Sequence, residues 1–153
     1  MRSFFPLQID CLKTNLICWL AVLLAPWCFA TELPETQSQV KVVKLLETTH
    51  SWDGVKYTAY PTGQPQVTLL KISIPPHTTL DWHHHPVINV AYILSGTLVV
   101  QKRGSGERTT LHAGQALAET VQTVHRGYSL NEPVELIVFY AGRPGLPVTV
   151  KEK

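Results

Sequence analysis

The sequence predicts an all-β domain, a sandwich or barrel of short strands. Two observations carry that expectation. From residue 40 onward, short runs rich in β-branched and alternating residues are broken by Gly and Pro about every eight to twelve positions. After residue 30, no segment sustains a 3.6-residue apolar period with capping residues, so no long helix is expected there.

The N-terminal segment comes first. Arg2 and Lys13 precede an apolar stretch from Leu16 to Ala25, and Cys28-Phe29-Ala30 sets small residues at the positions a signal peptidase reads. Residues 1–30 are therefore expected to be a signal peptide, cleaved after Ala30. The apolar run is shorter than the roughly 18 residues that span a bilayer comfortably. Export to the periplasm or the medium, with no stable membrane anchor, is the expectation. Residues 31–39 form a polar, Pro-containing lead-in. The barrel is expected over 40–141. Its candidate strands are Val40 to Leu46, Val55 to Tyr60, Val67 to Ile74, Val90 to Leu94, Thr97 to Val100, Arg108 to His112, Thr123 to Leu130 and Val134 to Tyr140. The tail, 142–153, begins Gly-Arg-Pro-Gly-Leu-Pro; it is too rich in breakers for a central strand and is expected along the surface.

Composition excludes several function classes. All three cysteines (Cys11, Cys18, Cys28) fall inside the signal-like segment, so the remainder offers no disulfide and no thiolate nucleophile. The roughly 120 residues left suffice for a genuine core. From Thr31 on, 11 Lys and Arg stand against 10 Asp and Glu. That balance provides no basic stripe for nucleic acid and no polybasic membrane patch. No Gly-rich phosphate loop and no Ser-His-Asp or Cys-His constellation is readable.

The chemistry-bearing feature is a histidine cluster. His83 and His85 are two residues apart, so on an extended strand they project from one face. His125, forty residues on, supplies a third imidazole if its strand lies alongside. Imidazole suits Zn, Fe, Cu and Ni, and three facial nitrogens with open positions hold a metal while leaving room for a ligand. A bare triple-His loop is more often solvated surface. An inward strand pair with a partner strand bearing His125 fits facial coordination better. His84 has the opposite parity, and His50, His77 and His112 are taken as surface or structural.

The segment from His83 to Gly96 resembles the first motif of the cupin superfamily: a His-x-His pair, three or four residues, a Glu, six residues and a Gly. Here Asn89 stands at the Glu position and Gly96 at the final Gly. The second motif opens at Gly114, carries Thr120 and Gln122 in place of its Pro and Gly, reaches His125 at its histidine and ends at Ser129 in place of Asn. The resemblance covers roughly residues 66 to 141. It implies a single jelly-roll barrel with a divalent transition metal (Fe, Mn, Zn, Ni or Cu) inside, held by His83, His85 and His125. It also implies a homodimer through the N-terminal strand, for which Val40 to Leu46 is the candidate.

The departures leave roles open. Asn89 shares a strand face with Ala91 and Ile93; it either coordinates weakly through its side-chain oxygen or leaves the metal to three histidines. Three neutral imidazoles do not offset the divalent charge, which favours anionic or chelating ligands. Glu119, next to Thr120, is a candidate proton shuttle or replacement oxygen ligand, though such a residue is more often simply solvated. Trp82, Tyr92, Tyr128 and Tyr140 read as packing. Two functions stay open: a metal-dependent dioxygenase or isomerase acting on a small anionic or chelating substrate, or a non-enzymatic cupin that binds or senses a small ligand or metal. Fold alone does not choose between them.

Overall fold

The structure, a computed structural model, describes residues 39–153. The signal-like segment and all but the last residue of the lead-in lie outside the described residues. Those described form two antiparallel sheets and no helix. The strands are β1 (Gln66–Ile74), β2 (His83–His84), β3 (Asn89–Ser95), β4 (Thr97–Lys102), β5 (Arg108–His112), β6 (Ala116–Ala118), β7 (His125–Ser129), β8 (Val134–Gly142) and β9 (Val150–Lys151). One sheet runs β1-β8-β3-β6 and the other β5-β4-β7-β2-β9.

Alternation sets which residues enter the barrel. On β3, Asn89, Ala91 and Ile93 are buried while Val90 and Tyr92 face outward. On β8 the inward set is Val134, Leu136, Val138 and Tyr140. On β7 it is His125, Gly127 and Ser129, so the same parity that builds the core turns the His125 ring inward. Aliphatic side chains of both sheets meet between them in one cluster that includes Ile74, Ile93, Leu98, Val100, Leu136 and Val138.

Two turn positions explain motif residues. Gly96 joins β3 to β4 at φ +80°, and a Cβ there would run into the Pro133 carbonyl oxygen. Only glycine satisfies both demands. Gln122, at the motif's second Gly position, sits at φ +61°; the left-handed conformation is kept although the residue is not glycine.

Several expected strands differ from those observed. Val40 to Leu46 forms no strand and is exposed, because no other segment of the described chain lies beside it to pair with. Val55 to Tyr60 contributes a single bridge, Lys56 to His50. The backbone there closes a turn instead, with Ser51 N donating to the Val55 carbonyl and Gly54 N to that of Ser51. The tail from Gly142 returns to the barrel. Leu146 and Val148 pack against the core, and β9 pairs with β2. β2, β6 and β9, at two or three residues each, are too short to leave a periodic signal.

Candidate metal centre

His83 and His125 are direct cross-strand partners on β2 and β7. His85, one step past β2, bridges to Val121. Pro86 ends the strand and biases His85 to extended backbone, which keeps the two-residue parity intact. The three rings therefore converge. Their centroids lie 5.1 Å (His83–His85), 4.7 Å (His83–His125) and 5.0 Å (His85–His125) apart. One ring nitrogen from each lies within 4.8 Å of the others. His85 and His125 are buried and His83 is half-buried.

Backbone carbonyls fix which nitrogen faces the centre. Nδ1 of His83 lies 2.7 Å from the Asp81 carbonyl, that of His85 2.8 Å from Val148, and that of His125 2.8 Å from Thr123. A carbonyl only accepts, so each Nδ1 carries the proton and donates it. All three rings then turn Nε2, the nitrogen free of the backbone, toward the centre. Such outer partners orient metal-binding histidines. Thr120, at the motif's Pro position, adds its hydroxyl 3.1 Å from His125 Nδ1. The donor set and its orientation fit one divalent transition metal.

Glu119 reaches two of the three rings. Just beyond β6 and buried, it sets Oε2 3.1 Å from His125 Nε2 and 3.2 Å from His85 Nε2. Its backbone is anchored at both ends, N donating to the Asn89 carbonyl (3.1 Å) and the carbonyl accepting from the Tyr57 hydroxyl (2.6 Å). Burial would raise the Glu119 pKa, but hydrogen bonds and charge from His125 and His85 outweigh it and hold the carboxyl far below its usual range. Burial opposes charge on His125 too, yet the Glu119 hydrogen bond and carboxylate win and raise its pKa above the ordinary imidazole value. His83 moves the other way, lowered chiefly by burial.

Asn89 is completely buried, as its parity required, with Nδ2 3.3 Å from the Val87 carbonyl and Oδ1 without a protein partner. It does not line the cavity beside the histidines. That cavity holds about 160 Å³. At one end are the three histidines, Glu119, Tyr140 and Thr149; the remainder is aliphatic, with Ile72, Ile74, Leu98, Val100, Leu136 and Val138. Tyr140 packs edge-on against His85 at 5.5 Å, and burial followed by the Glu119 charge pushes its phenol up to about 12, so it stays protonated.

The other sequence candidates fall elsewhere. His84 faces away and pairs with Glu152 at 2.8 Å. Trp82 is stacked under the Arg126 guanidinium, 4.3 Å from its ring centre. Tyr92 is half-buried on the outer sheet face. His50, His77 and His112 are exposed. Sequence reasoning missed the Val148 carbonyl and the Tyr57 buttress. A backbone carbonyl carries no residue signature, and Tyr57 lies 62 positions from the residue it supports.

Comparisons with known proteins agree with this architecture. Residues 70–140 match the model of the Cupin domain family. No curated protein matches the chain. Among solved structures, the chain is similar to the DMSP lyase DddQ from Ruegeria pomeroyi, with 18% identity over 56% of this chain and 42% of that one, at a TM-score of 0.50. It is also similar to the polyketide cyclase RemF from Streptomyces resistomycificus (15% identity, 57% and 61% coverage, TM-score 0.49). A third similar structure is an RmlC-like cupin from Shewanella frigidimarina (19%, 52% and 68%, TM-score 0.45). The chain thus spans less than half the length of the DMSP lyase and about three-fifths of the cyclase. Both histidine motifs on a two-sheet barrel, with the family model across its strands, support a cupin domain over residues 70–140.

Proposed function

We propose that this protein is an exported cupin that holds one divalent transition metal through His83, His85 and His125 and uses it on a small chelating ligand, as a dioxygenase or isomerase. The supporting observation is that all three rings turn Nε2 toward one point beside a ligand-sized cavity. A site serving only to store metal has no use for an aliphatic chamber behind it. A bound ion of this kind polarises a coordinated carbonyl or carboxylate oxygen.

The chain's own residues do the rest. An apolar cavity of about 150 Å³ accepts a benzene-sized guest, so the chamber of about 160 Å³ suits a ligand of similar bulk. The aliphatic wall excludes water and rejects a second charged group, because a charge there would be buried without a partner. The neutral Tyr140 phenol presents a donor at the polar end. The best ligand is then a compact oxygen-donor head, such as a carboxylate or diketone, on a short aliphatic body.

Elemental analysis of untagged protein, beside a His83→Ala/His125→Ala double variant, tests the site. About one metal per chain is expected in the first and none in the second; equal stoichiometry in both rejects it. Oxygen uptake across a carboxylate and diketone panel then separates turnover from binding, and saturable binding without turnover on any substrate supports the sensing role instead.

We also propose a homodimer. Val42, Val43 and Leu45 are exposed, and so are Val67, Leu69 and Phe139 on the outer face of the β1 sheet. Apolar surface of this extent is commonly covered by a partner, and β1, at the edge of its sheet, has a row of backbone groups unpaired among the described residues.

A further inference from the structure

Resting on the metal reading above, we propose that Glu119, in the loop after β6, supplies a carboxylate oxygen to the ion, in place of the Glu that the motif carries where this chain has Asn89. Each imidazole has already given its Nδ1–H to a carbonyl. An Nε2 so placed approaches a carboxylate oxygen in only two ways, as imidazolium or across a shared cation. The Glu119 oxygen faces two such nitrogens at once, at 3.1 and 3.2 Å. Donor atoms that share one ion at bonds of about 2.1 Å stand about 3.0 Å apart at right angles and about 3.4 Å apart in a tetrahedron. The observed separations fall between those limits.

The scaffold treats Glu119 as a fixed group. Its N–H and C=O are tied to Asn89 and Tyr57, and the preceding Ala118 carbonyl accepts from Trp52 N at 2.9 Å. A solvated surface glutamate is not held this way. Asn89 behaves differently. Its side chain turns to the Val87 carbonyl and stays out of the cavity wall, while its backbone carbonyl receives Glu119 N–H. The motif position has become a support for the residue that takes over its charge. One carboxylate cancels one unit of the ion's charge, which three imidazoles alone leave unbalanced.

The test uses untagged protein expressed from the full chain, loaded with Zn²⁺ or Co²⁺, and four forms: wild type, His83→Ala, Glu119→Gln and Asn89→Ala. Chelator competition gives Zn²⁺ affinity, and the visible Co²⁺ spectrum reports the donor atoms without any turnover. Even outer partners of metal ligands change affinity by about 10–100-fold, so Glu119→Gln is expected to weaken Zn²⁺ by more than about tenfold and to alter the Co²⁺ bands. Asn89→Ala should leave both nearly unchanged. Should Glu119→Gln fail to fold by circular dichroism, Glu119→Asp, which keeps the charge and shortens the reach, is expected to weaken binding too. Unchanged affinity and spectrum in the folded Glu119 variant overturns the inference while loss of binding in His83→Ala leaves the three-histidine site standing. Loosening confined to Asn89→Ala assigns the oxygen to Asn89 and overturns it as well. A wild type that binds neither ion removes the metal reading and the inference together.

Discussion

Removing Leu146–Lys153 should damage the metal site more than the fold. The tail supplies the Val148 carbonyl that receives the His85 Nδ1 proton at 2.8 Å, and β9 pairs with β2, which carries His83. Without it, His85 loses the acceptor that fixes its tautomer and ring plane. Loss of such a partner lowers metal affinity by about 10–100-fold, or about 1.4–2.8 kcal/mol. For stability the terms oppose each other. Leu146 and Val148 are half-buried, worth about 1 kcal/mol each, while freeing eight residues returns about 1 kcal/mol or more of backbone entropy apiece; lost ladder and carbonyl hydrogen bonds offset much of that gain. The melting temperature of the metal-free protein should therefore move much less than the affinity does. Chelator competition and calorimetry on full-length and truncated protein measure the two quantities. Glu152→Gln serves as a control, because its contact with the outward-facing His84 is partly solvated and such pairs contribute little. A truncated protein that binds metal as tightly as the full chain would refute the role given to the Val148 carbonyl.

Metal binding should weaken on acidification. The His125 pKa is raised above its ordinary 6.5, so protons compete for its Nε2 from above pH 6.5 downward; His83, lowered from 6.5, joins only below that value. Affinity titrated between about pH 8 and 5.5, the range in which imidazoles titrate, should fall steadily, and a flat profile contradicts the assignment of Nε2 as donor. Gly96→Ala combines a positive φ with a collision at the Pro133 carbonyl, and should cost about 1–3 kcal/mol, a drop in melting temperature on the order of 10 °C. Leu69→Lys places a charge on the exposed face of the β1 sheet. Light scattering should show it shifting a dimer toward monomer, and an unchanged dimer mass would place the interface elsewhere.

Strand parity carries most of what is legible in the sequence. The two-residue spacing of His83 and His85 and the alternation of β3 and β8 put the right side chains inside, because one face of each strand is buried and a slip would invert it. Gly96 is legible because a backbone with positive φ next to a carbonyl admits little else. Val40 to Leu46 has the composition of a strand yet forms none in this chain, because β-propensity reports a side chain's fit to a sheet and not the presence of a partner. The tail looks like surface because breakers dominate its first half, whereas its contribution to the site comes from a main-chain carbonyl. Glu119 is visible as a candidate, but its two contacts depend on where the loop after β6 ends, which no local pattern encodes.

X-ray absorption at the metal edge of the zinc-loaded protein reads the convergence of His83, His85 and His125 without relying on activity. Three imidazole scatterers bound through nitrogen at about 2.0–2.1 Å are expected, falling to two in His125→Ala. A coordination shell of oxygen alone, or one unchanged by that substitution, would mean that the three rings do not share an ion.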